Sequence, residues 1–242
     1  MMMKTPQNCI EVVTIQKYQN IPNKNKITGY MIVLDDSYLS SIMTLQEMIV
    51  EDLKDSNIFQ SDSAEFIQRC LKTHGKIIGI IVKDRLIAFR VIYFPGHFDD
   101  NLGIELAFPE KILSQVAHLE TVVVHPDYRG NSLALKMNYQ ALNVMKTLKY
   151  HHACVTVSPK NFYNLRIVFQ LGFIIKKLKI KYGDKLRYIL HKNLEEELSF
   201  NPKDSIVIPS TDIEAQQNAL QQGLVGYKMH QTKEGFAIVF GQ

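Results

Sequence analysis

The stretch Leu119-Glu-Thr-Val-Val-Val-His-Pro-Asp-Tyr-Arg-Gly-Asn-Ser-Leu-Ala134 constrains this chain more than any other part of it. The β-branched run Thr121 to Val124 favours a strand, and Pro126, with no N–H to give to a ladder, stops it. Leu133, Met137, Ala141, Val144, Met145 and Leu148 then recur at helical spacing, so an amphipathic helix follows. Between them, Arg129, Gly130, Asn131, Ser132, Leu133 and Ala134 are small or polar enough for backbone N–H groups to approach a ligand closely. Those groups crown a helix N-terminus, where the first N–H groups lack intrahelical partners and sit at the positive end of the dipole. A phosphate or pyrophosphate suits such a strand-loop-helix, and Arg129 adds a fork of charge-assisted donors.

The loop also fits a known pattern: Arg or Gln, two variable residues, Gly, one variable residue, then Gly or Ala. Arg129, Ser132 and Ala134 fill those places, with Ser132 where Gly is usual and where a positive φ or a close approach to pyrophosphate favours Gly. Downstream, Asn161-Phe-Tyr-Asn-Leu-Arg-Ile-Val-Phe-Gln-Leu-Gly-Phe173 supplies an Asn, a helix, and a Gly-Phe that opens the next strand. In these two ordered motifs, and over about residues 10 to 194, the chain resembles the GNAT superfamily of N-acetyltransferases. The resemblance implies an α/β (α+β) fold, a mixed and mostly antiparallel central sheet flanked by helices. It also implies acetyl-CoA as co-substrate, an amine-bearing acceptor, direct transfer and no metal. By position, the backbone of Val122, Val123 and Val124 would meet the pantetheine arm and acetyl carbonyl. Arg129, Gly130, Asn131, Ser132, Leu133 and Ala134 would hold the pyrophosphate, and Asn161 would contact the cofactor. Asn161 equally suits a helix cap after Pro159 and Lys160. Lys136, Lys160 and Arg166 are further candidates for the CoA phosphates, or solvated surface charges.

Acetyl transfer needs a neutral amine, a donor for the developing oxyanion and a proton for the departing thiolate. Strand alternation puts His118, Glu120, Val122 and Val124 on one face. Glu120 is therefore the candidate base, with His118 orienting or replacing it; a structural hydrogen-bonded pair is the competing reading of both. The Tyr often found seven residues after the motif Asn falls at Val168, which donates no proton, so the acid falls to Tyr163, Ser158 or water, or the thiolate leaves unassisted.

The rest of the chain bounds this reading. With 242 residues, 46% apolar, it can bury a substantial core. No apolar run approaches the roughly 20 residues that span a bilayer, and no signal-like apolar core follows Met-Met-Met-Lys-Thr-Pro, so no membrane association and a cytoplasmic location are expected. Cys9, Cys70 and Cys154 are too widely spaced for a disulfide framework or zinc cluster. The net charge of +4, carried by dispersed Lys and Arg, requires no nucleic acid partner.

Strands are expected at Ile10 to Ile15 and Tyr30 to Leu34, with a loop at Pro22 and Asn23 to Lys26. A helix capped by Ser37 and a second from about Asp62 to Thr73 follow, then strands Lys76 to Val82 and Leu86 to Phe94. Pro95 to Gln115 is too long for a tight connection and reads as an ordered excursion, with His97, Asp99, Asp100 and Glu105 as candidates for acceptor recognition. Strands Phe173 to Tyr182 and Leu186 to Lys192 complete a domain of residues 1–194. Residues 195–242 read as a strand-helix-hairpin extension whose apolar residues need cover from the domain or from a second copy in a homodimer. Two competing functions remain: a non-catalytic acyl-CoA-binding sensor or interaction module, and a transferase for another acyl group.

Overall fold

The computed structural model describes residues 6, 8–16, 26–53, 55–233 and 235–242. The opening Met-Met-Met-Lys-Thr, Pro22, Asn23 to Asn25 and Glu234 lie outside them. In chain order the elements are β1 (Cys9–Gln16), β2 (Lys26–Leu34), α1 (Leu39–Asp52), α2 (Ala64–Lys72), β3 (Gly75–Val82) and β4 (Arg85–Tyr93). Next come α3 (Leu102–Glu105), α4 (Glu110–Leu113), β5 (Val116–Val124), α5 (Leu133–Thr147), β6 (His152–Val157) and α6 (Phe162–Gln170). The chain closes with β7 (Ile174–Lys181), β8 (Lys185–Asn193), β9 (Ile206–Pro209), α7 (Ile213–Gln221), β10 (Val225–Thr232) and β11 (Gly235–Gly241). No helix among the described residues is long and apolar enough to cross a membrane.

Two compact units divide this chain. The first comprises residues 1–56, 60–94 and 119–144, the second 57–59, 95–118 and 145–242. In the first, antiparallel β1, β2, β3 and β4 follow one another, with β5 beside β4. Ile77, Ile78, Ile80, Val91 and Ile92 are buried on both faces of this sheet, as continuous apolar strands under helices must be. Helix α1 buries Ile42, Leu45 and Ile49; α2 buries Ile67 and Cys70 and is capped by Ser63, whose oxygen accepts from the Phe66 N–H. Ahead of α1, the expected Ser37 cap is displaced: the Asp35 side chain caps a 3-10 turn by accepting from the Ser37 N–H. The β3–β4 hairpin turns through Lys83 (φ 48°) and Asp84 (φ 61°), the positive-φ pair that a two-residue turn demands.

In the second unit β6 runs parallel to the start of β5 and antiparallel to β8, and β7 pairs with β8. Cys154 is buried among Leu102, Val116 and Ile189, as a small apolar residue. The excursion after Pro95 is ordered by α3 and α4, whose Leu102 and Leu113 are buried. Residues 195–242 lie in this unit. There β10 pairs with β7 through Gly226 and Ile175, β11 with β10, and β9 with β11, while Gln216 of α7 takes a hydrogen bond from the buried Tyr188 hydroxyl.

Candidate active site

In the first unit β5 alternates as its sequence requires: Leu119, Thr121 and Val123 are buried, while Glu120, Val122 and Val124 stay partly open. Pro126 to Tyr128 then form a single 3-10 turn, and the Arg129 N–H closes on the Pro126 carbonyl at 3.2 Å. Gly130 follows at φ 79° and Ser132 at φ 56°. The position where the sequence substitutes Ser for Gly is thus left-handed, a conformation that costs an L-residue roughly 1–2 kcal/mol. Helix α5 begins at once: the Lys136 N–H donates to the Ser132 carbonyl at 3.0 Å, so the N–H groups of the preceding turn point out of the helix end.

Asn131 holds this loop in place. Its Oδ1 accepts from the Gln16 N–H at 2.8 Å, and its Nδ2 donates to the carbonyls of Gln16 at 2.7 Å and Tyr128 at 3.0 Å. The side chain therefore ties the loop to the end of β1, and the residue's contribution to a ligand is left to its backbone. Arg129 reaches the Asp52 carboxylate at 3.0 Å, both side chains about half exposed, a pairing weak enough to exchange for a phosphate. Behind the loop α5 buries Leu133, Met137, Ala141 and Met145. Leu148, expected on that face, is 45% exposed because the helix stops at Thr147 and Lys149 turns left-handed (φ 65°).

A second cluster lies in the same unit. Arg90 on β4 is fully buried; it donates to the Glu120 carbonyl at 2.5 Å and to Oδ1 of the buried Asn138 on α5, fixing β5 and α5 against β4. Burial pushes its guanidinium down to about 9, and the Glu120 carboxylate works against that shift. Asp62, immediately before the Ser63 cap, is held by its backbone: its N–H donates to Gln46 Oε1 at 3.0 Å, and Gln46 Nε2 donates to its carbonyl at 2.8 Å. Gln46 itself is buried in α1. Burial, and after it the Glu120 charge, pushes the Asp62 carboxyl up to about 7, opposed by a hydrogen bond from Thr121. Its Oδ2 is shielded from solvent and has no hydrogen-bond partner.

The acetyltransferase (GNAT) family model matches residues 43–173, more than half of the chain and the whole of this strand-loop-helix. The chain belongs to the acetyltransferase (GNAT) family. Family membership makes it an enzyme of the N-acetyltransferase class. No curated protein matches the sequence. Solved structures with the same fold include the ribosomal-protein-S18-alanine N-acetyltransferase of Escherichia coli, at 11% identity and TM-score 0.52 over 72% of this chain and 97% of that one. Another is yncA from Salmonella typhimurium with its cofactor acetyl-CoA, at 14% identity and TM-score 0.51 over 71% and 97%. An N-acetyltransferase from Staphylococcus aureus Mu50 aligns at 10% identity and TM-score 0.51 over 69% and 98%. At these identities the likeness shows the GNAT fold, with its mostly antiparallel sheet flanked by helices.

The remaining GNAT-motif residues belong to the second unit. His118 is buried, and its Nε2 accepts the Leu102 N–H at 3.0 Å, so that nitrogen is occupied in holding the start of α3. Asn161 caps α6 by accepting from the Asn164 N–H at 3.1 Å. Tyr163 is 88% exposed, and Val168 is fully buried on the core face of α6. Glu105, one of the excursion's candidates, is taken up by Lys179 at 2.6 Å and Lys181 at 3.0 Å. Asp62 and Arg90 did not stand out in the sequence. Ser61-Asp-Ser reads as a helix cap; Arg90 did leave a signal, a lone charge inside the apolar run Leu86 to Tyr93.

Proposed function

We propose that this protein is an acetyl-CoA-dependent N-acetyltransferase that passes the acetyl group directly to an amine. The observation that carries the proposal is the left-handed turn at Gly130 and Ser132 opening onto the N-terminus of α5, inside the family match. In this reading the loop N–H groups from Gly130 to Ala134 take the pyrophosphate, and Arg129 leaves Asp52 to add a charge-assisted contact. The backbone of Val122, Val123 and Val124 steadies the pantetheine arm and the acetyl carbonyl.

Glu120 sits two residues before that stretch on the same open face of β5, and is the group assigned to deprotonate the acceptor. The amine nitrogen then bonds to the thioester carbon, the C–S bond breaks, and the amide nitrogen gives up its second proton. The departing thiolate takes a proton from water, so one proton is released overall.

The test is CoA release, followed with a thiol reagent, for the full chain with acetyl-CoA and a panel of primary amines. Amine-dependent release that falls sharply in Glu120→Gln supports transfer. Tight acetyl-CoA binding with no release for any amine favours a non-catalytic CoA-binding module, the reading to which the buried Val168 and the exposed Tyr163 lend support. Faster release from longer thioesters favours another acyl group.

A further inference from the structure

We propose that a cleft between α6 and β10 is a second ligand site, shaped for a small aromatic carboxylate. The site lies wholly within the second unit and does not depend on the chain transferring acetyl groups.

The cleft has a volume of about 330 Å³ and is lined by Arg166, Phe169 and Gln170 of α6 and by Tyr227, Lys228 and Met229 of β10. That volume stands at the lower end of the roughly 300–1,000 Å³ of small-molecule sites, so the ligand it suits is small. Helical period supplies one wall. Leu165 and Val168 are buried in the core, while Arg166, Phe169 and Gln170, three and four residues apart, share an adjoining side of α6.

The strand supplies the other wall by breaking its own alternation. A regular strand sends successive side chains to opposite faces, which suits three consecutive liners poorly. In β10, Gly226 pairs with Phe240 and Lys228 with Val239, and Tyr227 between them has no place in the ladder with β11. Such a bulge bends a strand and re-aims a side chain, and bulges concentrate beside functional sites. The strand is anchored just before it, where Gly226 pairs with Ile175 of β7 so closely that a Cβ on Gly226 would lie 2.9 Å from Ile175 Cδ1. The Tyr227 ring is locked in turn. It stacks on Phe200 with 4.1 Å between centroids and 6° between planes, and its hydroxyl lies 2.8 Å from Ser205 Oγ. With the hydroxyl engaged, what Tyr227 offers the cleft is a fixed aromatic surface.

Packing on Phe200 accounts for Tyr227 but not for the charges beside it. Arg166 and Lys228 are both exposed, neither makes a hydrogen bond or ion pair among the described residues, and none of the six liners is acidic. Either cation alone would be an ordinary solvated charge. Together, next to Phe169, Tyr227 and Met229, they give one concavity a positive side and an apolar side. A carboxylate matches the planar fork of the Arg166 guanidinium through two parallel N–H···O bonds, with the Lys228 ammonium as a further point charge. A flat aryl body attached to it covers the two rings and meets the Met229 sulfur. An aliphatic acid forgoes the ring contacts, and a neutral aryl amide forgoes the charge.

The test titrates the full chain, labelled with carbon-13 at its Met methyl groups, with benzoate, phenylacetate and 1-naphthylacetate. Phenylacetamide and acetate serve as controls. At least one aryl carboxylate should bind saturably in the millimolar range, read as a ring-current shift of the Met229 methyl signal, which Met229→Leu assigns. The two controls should not saturate. Arg166→Gln and Lys228→Gln, both at exposed positions, should each weaken binding roughly tenfold, and added salt should weaken it further. Saturating acetyl-CoA should leave the Met229 shift in place. No saturable shift with any of the three acids would overturn the site. Phenylacetamide binding as well as phenylacetate would overturn the anionic class, and affinity intact in both variants would mean that the acids bind elsewhere. Displacement of the bound acid by acetyl-CoA would make the cleft part of the cofactor site and overturn it as a second one.

Discussion

Replacing Asp62 with Asn should stabilise this protein, and should do so increasingly as pH rises. The carboxyl of Asp62 moves from an ordinary 3.8 to about 7 on folding, because burial and the Glu120 charge disfavour its ionised form. A raised carboxyl pKa contributes its stability fully below 3.8 and loses it as pH climbs through about 7. A tenfold change in proton affinity is worth about 1.36 kcal/mol, so a rise of roughly a thousandfold means that ionised Asp62 destabilises the fold by about 4 kcal/mol at pH 8. At pH 5 only about a third of that penalty has developed. The stability advantage of Asp62→Asn over wild type should therefore widen by roughly 3 kcal/mol between pH 5 and pH 8. Urea unfolding followed by circular dichroism at several pH values measures this. A gap that stays constant with pH would mean that Asp62 ionises as freely in the folded chain as in the unfolded one, and the buried carboxyl described here would have to be abandoned.

Two further outcomes follow from the same geometry. Ser132→Gly should raise stability by up to about 1 kcal/mol, since relief of the left-handed strain outweighs the extra freedom of Gly in the unfolded chain, and should keep acetyl-CoA affinity; destabilisation in the same urea assay would contradict the turn described here. His118→Leu should cost about 1–3 kcal/mol by stranding the Leu102 N–H, with acetyl-CoA affinity intact; a variant of unchanged stability and lost activity would return His118 to the chemistry.

The parts of this molecule that were legible in its sequence are those fixed by short-range rules. The strand ending at Pro126, the small residues of the loop and the apolar spacing through Met145 are all local patterns, and each stands where those patterns place it; the hairpin expected across Lys83-Asp84-Arg85 turns through Lys83 and Asp84 alone, with Arg85 already opening β4. The helix after Ser37 was legible as a helix, but its cap depended on which of several competing side chains, Asp35 or Ser37, reached the turn first. Leu148 failed because a periodic pattern runs on after the backbone has turned away. Asp62 and Arg90 were hidden for a deeper reason. Their properties come from burial and from partners 58 and 30 positions distant in the chain, on β5, and no local pattern records that a carboxyl will lose its water. Asn131 was legible as part of the loop, but not as the residue whose side chain ties it to Gln16.

Every functional step proposed for this chain depends on the loop from Arg129 to Ala134 holding acetyl-CoA, and calorimetric titration of the full chain with acetyl-CoA decides whether it does. We expect saturable binding that weakens at least about tenfold in Arg129→Ala, the loss of one charge-assisted contact, while the urea midpoint of the variant shifts little because the Asp52 pairing is exposed. Absence of saturable binding, or an affinity indifferent to Arg129, would contradict this assignment of the loop.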